Sequence, residues 1–219
     1  MHRVLAVVAH PDDESFGLGG LLGQEASDGA TTGVLCLTHG EASTLHGVEG
    51  DLHAVRDTEL RDAAAELGVT WVRLTDHPDG ALADVPTGSL DRDVEDAVAA
   101  FAPDVLLVFD DTGITGHPDH VAATAAAVRV AERRGLPVLA WTIPTAVAET
   151  LNAELGTAFV GVGSDVVDEV RPVDRDRQLR AVHAHPSQAV PGSAVWRRLE
   201  LLGGHEHLRW LRAEHDSHR

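Results

Sequence analysis

The sequence predicts an α/β fold: a single Rossmann-like domain over residues 1–219, with a mostly parallel sheet and helices on both faces. Apolar runs that suit buried strands alternate along the chain with helical patterns. The predicted strands are 4–8, 33–37, 69–74, 104–109 and 137–143, and the predicted helices are about 16–28, 51–67, 88–101, 119–134 and 145–153. This alternation is typical of right-handed βαβ units. A length of 219 residues is sufficient for one domain with a sizeable core.

The pattern is less regular beyond residue 153. Residues 157–162 predict a sixth strand, and residues 166–170 predict a further strand or an extension of the sheet edge. Residues 173–184 and 193–203 predict helices, after which the chain ends in residues 209–212 and a polar tail.

Four glycines, Gly17, Gly19, Gly20 and Gly23, follow the first predicted strand and invite comparison with dinucleotide-binding loops. The dinucleotide fingerprint requires a small residue at the position that Leu22 occupies. Three carboxylates also precede this helix, whereas a pyrophosphate at a helix N-terminus should meet cationic donors. We therefore expect these glycines to allow close packing of the helix against a strand.

The charge balance restricts the partners. The chain has 17 Lys and Arg residues against 35 Asp and Glu residues, a formal net charge of -18. Because such a surface repels phosphates, neither nucleic acid nor an anionic membrane is expected as a partner. A small-molecule substrate is expected instead, and the sequence leaves a homo-oligomer open.

The compartment is predicted from three features. No apolar run has the length that spans a bilayer. Residues 1–3 lead directly into the first strand and leave no room for a signal peptide. Cys36 is the single cysteine, so no intrachain disulfide is possible, and its apolar surroundings predict burial. These features predict a cytoplasmic protein.

The stretch Ala9-His10-Pro11-Asp12-Asp13-Glu14 directly follows the first predicted strand. In open α/β sheets, ligands bind at the carboxyl ends of the strands. One imidazole and three carboxylates within five residues repel one another unless a cation or bound protons compensate them. A divalent metal is the simplest compensator: His10 and Asp13 would bind it, and Asp12 would remain free to take a proton. The alternative is a solvated acidic turn, which these residues alone do not exclude.

A second cluster, His117-Pro118-Asp119-His120, follows the strand predicted at 104–109 and opens the next helix. In a parallel sheet both strand ends lie at the same edge, so two matched clusters favour a metal site over two structural histidines. Two imidazoles and one carboxylate leave a metal with open positions, which is the catalytic pattern. His10, Asp13 and His120 are the natural ligands.

The remaining polar residues of the two clusters suit hydrolytic chemistry. Water needs a nearby base to become a nucleophile, and Asp12 is adjacent to the expected ligands. Protonated His117 would stabilise an oxyanion and protonate a leaving amine. Asp119 would hydrogen-bond to the His117 imidazole and keep it charged, or would cap the helix, and the two roles are compatible.

Together the two clusters resemble the LmbE/PIG-L family of zinc-dependent N-acetylglucosaminyl deacetylases. Further stretches match in order: Thr38-His39-Gly40-Glu41, Arg56-x-x-Glu59-Leu60, Leu67-Gly68-Val69, Pro78-Asp79-Gly80-x-Leu82 and His185-x-Ser187-Gln188. The resemblance covers about residues 3–188. It implies a zinc-dependent N-deacetylase, a hydrolase that removes an acetyl group from an N-acetylated amino sugar or glycoconjugate of the N-acetylglucosamine type.

The resemblance also implies residue roles. It makes His10, Asp13 and His120 the ligands of one zinc ion, with Fe²⁺ as the alternative metal, and it assigns the base to Asp12. One departure concerns the oxyanion, because some family members have a tyrosine at the position of Thr115 and this chain has no tyrosine. The metal and His117 would then stabilise the oxyanion, unless Thr115 or a backbone amide contributes.

The substrate contacts depend more heavily on the resemblance. It implies that Arg56 grips the polar end of the sugar, whereas without it Arg56 would be a surface helix arginine. It places Asp79 near sugar hydroxyls, although Pro-Asp-Gly is also an ordinary turn signature. His185 and Gln188 would border the site or serve the structure.

Two other functions remain open. One is an amidase acting on a sugar-thiol conjugate. The other is a non-haem Fe(II) oxygenase, because two histidines and one carboxylate also bind Fe(II). The C-terminal histidines, His205, His207, His215 and His218, lack accompanying carboxylates and are expected at the surface.

Overall fold

A computed structural model of the chain describes residues 2–43 and 51–212. In this part of the chain seven strands form one sheet with the order β3-β2-β1-β4-β5-β7-β6. The strands are β1 (Arg3–Val8), β2 (Thr31–Thr38), β3 (Trp71–His77), β4 (Val105–Phe109), β5 (Val138–Thr142), β6 (Glu169–Pro172) and β7 (His205–Arg212). The first five strands pair in parallel, and β7 is antiparallel to β5 and β6. The predicted mostly parallel α/β sheet is confirmed.

Helices connect these strands and cover both faces of the sheet. They are α1 (Asp13–Phe16), α2 (Gly19–Ser27), α3 (Leu52–Leu67), α4 (Thr87–Phe101), α5 (Gly113–Gly116), α6 (Pro118–Arg134), α7 (Thr145–Leu155), α8 (Asp176–His183) and α9 (Ala194–Leu202), with a 3-10 turn at Leu82–Asp84. The α3 helix begins where the Asp51 side chain accepts the His53 N–H, and it ends at left-handed Gly68. No helix among the described residues is both long enough and apolar enough to cross a bilayer.

Helices cover both faces of β1, so both are buried. Alternate side chains of a strand point to opposite faces and therefore enter two different cores. Val4, Ala6 and Val8 pack in the same core as apolar residues of α2, α3 and α8. Leu5, Val7 and Ala9 pack in the other core with those of α4 and α6. Cys36 is buried in β2 as expected, and burial raises the pKa of its thiol.

The sheet order reverses beside β1. The chain passes from β1 outward to β2 and β3, and then returns to place β4 on the opposite side of β1. In doubly wound sheets the crevice for ligands opens at this switch point. Both histidine clusters lie there, because one follows β1 and the other follows β4 and α5.

The C-terminal half differs from the sequence prediction at two places. Residues 157–162 do not form a strand, and Val162 makes only an isolated bridge to Pro144. Conversely, β7 is a full strand that inserts between β5 and β6, although no strand was predicted there. The strand was missed because a charged residue interrupts its apolar pattern. Glu206 lies on the buried face, where it accepts the indole N–H of Trp141 at 2.6 Å. The predicted strand at 166–170 corresponds in part to β6.

The glycines after β1 serve packing. A Cβ on Gly17 would collide with the ring of Phe109 on β4, which confirms the expected close approach of helix and strand. Cβ atoms on Gly19 and Gly20 would instead meet the side chains of Gln178 and Arg175 near α8. Part of the glycine run therefore fits helix against helix.

Candidate active site

The turn after β1 fixes the two adjacent aspartates in different ways. Oδ2 of Asp13 accepts the backbone N–H groups of Ala9 at 3.2 Å and His10 at 2.9 Å. Asp12 has a φ of 138°, a conformation that non-glycine residues rarely adopt, and its N–H donates to Oε2 of Glu14 at 3.0 Å. Backbone strain of this kind is concentrated at functional sites.

The turn after β4 positions the second cluster. His117 caps α6, because its Nδ1 accepts the backbone N–H of Asp119 at 3.2 Å and Pro118 occupies the first turn. His120 follows one turn later, and its Nδ1 lies 3.1 Å from the carbonyl oxygen of Gly113. Ile114 in the same turn has a φ of 64°, which is strained for a β-branched residue.

Three side chains from the two clusters converge. Nδ1 of His10 lies 3.2 Å from Nε2 of His120, and this Nε2 lies 3.2 Å from Oδ1 of Asp13. Nδ1 of His10 is 3.6 Å from Oδ2 of Asp13. The structure thus brings together the three residues that the sequence selected as metal ligands.

The donor set fits a divalent metal, because the outer atom of each of these side chains is anchored elsewhere. Nε2 of His10 faces Oδ1 of Asp79 at 3.0 Å and Oδ2 of Asp119 at 3.3 Å. Metal-binding histidines commonly donate their second N–H to a carboxylate or a carbonyl, which orients the ring. Nδ1 of His120 contacts a carbonyl oxygen, and Oδ2 of Asp13 accepts backbone N–H groups. Each of the three side chains therefore keeps one inward-facing atom that could bind a metal.

His10, His117 and Asp119 form a second trio with ligand atoms close enough for one ion. The hydrogen bonds argue against it. The carboxylate of Asp119 already accepts the N–H groups of Gly80 at 2.8 Å and Leu82 at 3.0 Å. Nδ1 of His117 is occupied by its capping bond, so the trio of His10, Asp13 and His120 is favoured.

Both expectations for Asp119 are wrong in detail. Its carboxylate is fully buried and contacts His10 and two backbone N–H groups, whereas the expected hydrogen bond to the His117 imidazole is not formed. The helix cap is the His117 side chain itself. Asp119 therefore acts on the orientation of His10.

His117 also differs from the expected imidazolium. Burial lowers its pKa, and the neighbouring His120 and His10 lower it further. Its Nδ1 accepts a hydrogen bond, which requires an unprotonated Nδ1. Both observations favour a neutral ring that carries its proton on Nε2.

Asp12 lies beside the converging trio and is paired with Arg56. Nη2 of Arg56 lies 3.0 Å from Oδ2 of Asp12, and Arg56 also donates to the carbonyl oxygens of Pro11 and, at 2.6 Å, Gly40. Arg56 is only 3% exposed, so a surface helix arginine is the wrong description. Burial raises the pKa of Asp12 to about 6, with Asp13 adding to the shift and Arg56 opposing it.

Asp79 lies at the edge of the same cavity. It follows Pro78 in a turn and accepts the backbone N–H of Ala42 at 2.8 Å while it faces His10. Burial tends to raise its pKa, but the contact with His10 outweighs burial and lowers it. The two sequence interpretations of Asp79, a turn residue and a site residue, hold together.

The His185-x-Ser187-Gln188 motif lies mostly outside the cavity lining. Nε2 of His185 lies 2.7 Å from Oε1 of Glu14, and both side chains are fully buried. Ser187 donates its backbone N–H and its hydroxyl to Glu59 at 2.9 and 2.6 Å. Gln188 lines the cavity, whereas His185 joins the loop before α9 to α1.

The cavity has a volume of about 570 Å³, within the usual range for small-molecule sites. Thr115 lines it at the position that suggested a missing tyrosine. The cavity also has an apolar wall, which sequence reasoning missed. The wall comprises Phe16, Phe109, Ile114, Trp141, Phe159 and Val195. Arg198 also lines the cavity and was missed, because an arginine in an amphipathic helix carries no local signal of burial.

Other histidines lie apart from this cavity. His39, His53 and Asp76 form a more exposed group, in which Nε2 of His39 is 3.0 Å from Oδ1 of Asp76. His205 is exposed as expected, whereas His207 is only half-exposed. His215 and His218 lie outside the described residues.

Two curated proteins are similar to this chain in sequence. The chain is 29% identical over 220 residues to a probable N-acetyl-alpha-D-glucosaminyl L-malate deacetylase 2 of Bacillus anthracis, with 97% of this chain and 92% of that protein covered. It is 34% identical over 176 residues to a 1D-myo-inositol 2-acetamido-2-deoxy-alpha-D-glucopyranoside deacetylase of Nakamurella multipartita, and the match spans 67% of this chain but 58% of that protein.

Among solved structures, the zinc inhibited form of teicoplanin deacetylase Orf2 superposes with a TM-score of 0.72. The match covers 98% of this chain and 99% of that chain at 22% identity, which shows a shared fold. The family model described as PIG-L, GlcNAc-PI de-N-acetylase, matches residues 5–131 and so includes both histidine clusters. The resemblance that the motifs predicted is therefore confirmed, and the chain belongs to the PIG-L family.

Proposed function

We propose that this chain is a metal-dependent hydrolase that removes the acetyl group from an N-acetylglucosamine conjugate. The observation that carries the proposal is the convergence of His10, Asp13 and His120 with the carboxylate of Asp12 beside them. Family membership supports hydrolytic de-N-acetylation. The relatives from Bacillus and Nakamurella, named for glucosaminyl malate and glucosaminyl inositol substrates, support a small sugar conjugate as the substrate class.

His10 through Nδ1, Asp13 through Oδ1 and His120 through Nε2 would hold the metal, and we propose zinc because the donors are two imidazoles and one carboxylate. A metal bound there would act as a Lewis acid toward the acetamide carbonyl and the attacking water. Asp119 and Asp79 would keep the His10 ring in its orientation. Fe²⁺ remains the alternative metal.

Asp12 is the proposed general base. It would take a proton from the water as the water oxygen attacks the acetamide carbonyl carbon. Arg56 holds Asp12 in place and favours its ionised form. When the C–N bond breaks, the proton on Asp12 would pass to the leaving amine, so that acetate and a free amine are released.

His117 has a complementary role in this proposal. With Nδ1 accepting from the Asp119 N–H, its Nε2–H would donate a hydrogen bond to the developing oxyanion. A neutral imidazole can donate this hydrogen bond, and unlike an imidazolium it would not be repelled by the positive charge of a bound metal. Thr115 lines the same cavity, and its hydroxyl would be a further donor for the oxyanion.

The test is a screen for amine release. Zinc-loaded protein is incubated with N-acetylglucosamine and its malate and inositol glycosides, and free amine is measured. The Asp12→Asn variant is the matched control, and it should keep its metal yet lose about 10²–10⁴-fold in turnover. No amine release from any substrate, or a near-normal rate for Asp12→Asn, would refute the proposal.

The same assay separates the alternatives. An amidase would release amine from a sugar-thiol conjugate but not from the acetylated sugar. A non-haem Fe(II) oxygenase would require oxygen and an oxoacid cosubstrate with Fe(II), whereas a hydrolase works anaerobically. The single domain over residues 1–219, the cytoplasmic location and the homo-oligomer stay predictions.

A further inference from the structure

Arg198 is a buried cation in the wall of the cavity. It lies on α9 and is 6% exposed. Its Nη2 donates to the carbonyl oxygen of Phe16, and its guanidinium lies over the ring of Trp141 with 5.0 Å between Cζ and the ring centroid. Its Nε finds no hydrogen-bond partner among the residues that the structure describes. The side chain is therefore held in place by a carbonyl and an aromatic face.

Within the described residues, Arg198 forms none of the carboxylate ion pairs that other arginines of this region form. Arg56 pairs with Asp12, Arg175 with Glu206 and Arg209 with Asp110. The adjacent Arg197 pairs with Glu154 and Glu200 at the surface. Among residues 2–43 and 51–212, no carboxylate oxygen forms an ion pair with Arg198.

An unpaired buried charge is costly to desolvate. Burial lowers the pKa of Arg198 to about 10, with Arg175 adding to the shift and the more distant carboxylates of Glu206, Asp13 and Asp12 opposing it, so the group remains charged at neutral pH. The cation–π contact with Trp141 offsets only a part of this cost. An arrangement of this kind is explained if an anion supplied from the cavity completes it.

We infer that Arg198 is an oxyanion subsite that binds a carboxylate or phosphate on the aglycone of the amino sugar. The inference rests on the proposed function and specifies its substrate class. Arg198 and the metal-binding trio line one cavity, so the acetamide and a charged aglycone would be held by one bound molecule. The planar guanidinium suits a two-oxygen group, which its fork binds in a bidentate manner.

The global charge makes such a local cation necessary. The chain carries a net charge of -18, which repels an anionic substrate at long range. Arg56 is already engaged by Asp12 and two carbonyl oxygens, so it is less available to a substrate anion than the sequence suggested. Arg198 also lines the cavity, and in the described chain it forms no ion pair with a carboxylate.

The experiment compares three substrates that share the N-acetylglucosamine unit. Their aglycones are a methyl group, a hydroxy-acid carboxylate and a phosphate. Arg198→Met should lower the ratio of kcat/KM for each anionic substrate to that for the methyl glycoside by about 10–100-fold, as expected for lost charged hydrogen bonds. Arg198→Lys should recover only a part, because a point charge cannot bind bidentately.

The control is Arg197→Met on the same helix, which should leave the ratio at its wild-type value. Thermal unfolding of each variant verifies that it is folded, and Arg198→Lys keeps the test decisive if the methionine variant is unstable. An unchanged ratio in both Arg198 variants would overturn the inference. A loss confined to the carboxylate or to the phosphate substrate would identify which oxyanion the subsite takes.

Calorimetric titration separates this inference from the proposed function. The Asp12→Asn protein is titrated with the three intact glycosides, with and without Arg198→Met. If no glycoside is deacetylated but the anionic ones still bind in an Arg198-dependent manner, the proposed function fails and the subsite stands. If deacetylation occurs and Arg198→Met weakens binding of all three equally, the subsite fails and the function stands.

Discussion

Nη2 of Arg56 lies 3.0 Å from Oδ2 of Asp12, and the same guanidinium donates to the carbonyl oxygens of Pro11 and Gly40. The arginine on α3 is thus fastened to the turn after β1 and to the turn after β2. Its charge is directed at the carboxylate that is the candidate base. Arg56 is therefore a positioning residue for Asp12, in addition to the substrate contact that the family resemblance implies.

We predict that Arg56→Met lowers kcat by about 10-fold or more, because Asp12 loses both its orientation and the cation beside it. Arg56→Lys should recover part of the loss, since a lysine cannot make all three contacts. Arg61→Met, at an exposed arginine of the same helix, is the control and should change neither kcat nor KM. Steady-state kinetics give the answer, and a rise in KM at constant kcat would assign Arg56 to substrate binding alone.

The metal ligands are tested by elemental analysis. His10→Ala and His120→Ala should each lose the bound zinc, because each removes one of three converging donor atoms. His53→Ala is the informative control, since His53 belongs to the more exposed group with His39 and Asp76. Full zinc content in the first two variants would contradict the assignment, and zinc loss in His53→Ala alone would move the tight site to the exposed group.

Asp119 and His117 are distinguished by their effect on metal affinity. Asp119→Asn should weaken zinc binding by about 10–100-fold, because the carboxylate orients the His10 ring. His117→Ala should leave zinc affinity close to wild type. Competition with a chromophoric chelator measures both. A large loss of affinity in His117→Ala would instead favour the trio of His10, His117 and Asp119.

The contact between His185 and Glu14 should contribute to the stability of the fold. Both side chains are fully buried and 2.7 Å apart, so His185→Ala removes the imidazole beside a buried carboxylate, whose remaining donors are the Asp12 N–H and the Ser15 hydroxyl. We expect the free energy of unfolding to fall by about 3–5 kcal/mol, as for other broken buried pairs. Denaturant unfolding tests this, with the exposed His183→Ala as control. A loss below that of the control would show that Glu14 finds another partner.

Stability in acid should depend on Asp91, which joins α4 to α6. Burial alone would raise its pKa, but hydrogen bonds from Arg129 and Arg133 outweigh burial and lower it. A carboxylate with a lowered pKa stabilises the folded state above its ordinary pKa and loses this contribution as the pH falls through the folded value. Asp91→Asn should therefore cost about 0.5–1 kcal/mol at neutral pH after solvent screening.

The cost of Asp91→Asn should shrink steadily when unfolding is measured below about pH 4, where the wild-type carboxylate becomes protonated. Asp28→Asn, in a turn without an arginine partner among the described residues, serves as the control. A cost that stays constant between neutral and acidic pH would show that the ion pairs with the α6 arginines contribute nothing.

The sequence by itself determined the sheet and the site's location. Buried parallel strands are continuous apolar runs, and these runs alternate with helices, so β1 to β5 were predictable from residues close in sequence. His10 and His120 each follow the carboxyl end of such a strand, and parallel strands share that edge. The convergence of two clusters 110 positions apart therefore followed from local patterns alone.

Only the tertiary structure decided which atoms face which. Asp119 is two residues from His117, yet its carboxylate turns to His10 because the N–H groups of Gly80 and Leu82 hold it there. Arg56 is buried because the turn at Gly40 closes over it, and Arg198 is buried because Trp141 and Phe16 lie against it.

The same reason explains β7, whose buried Glu206 is satisfied by Trp141 and Arg175 from distant elements. A polar side chain can be buried only where a partner satisfies it, and that partner comes from elsewhere in the chain. Local periodicity records how much apolar surface a segment buries. It does not report the distant donor or acceptor that allows a charged residue to be buried. For this reason the contacts of the charged residues in the site could be read only from the structure.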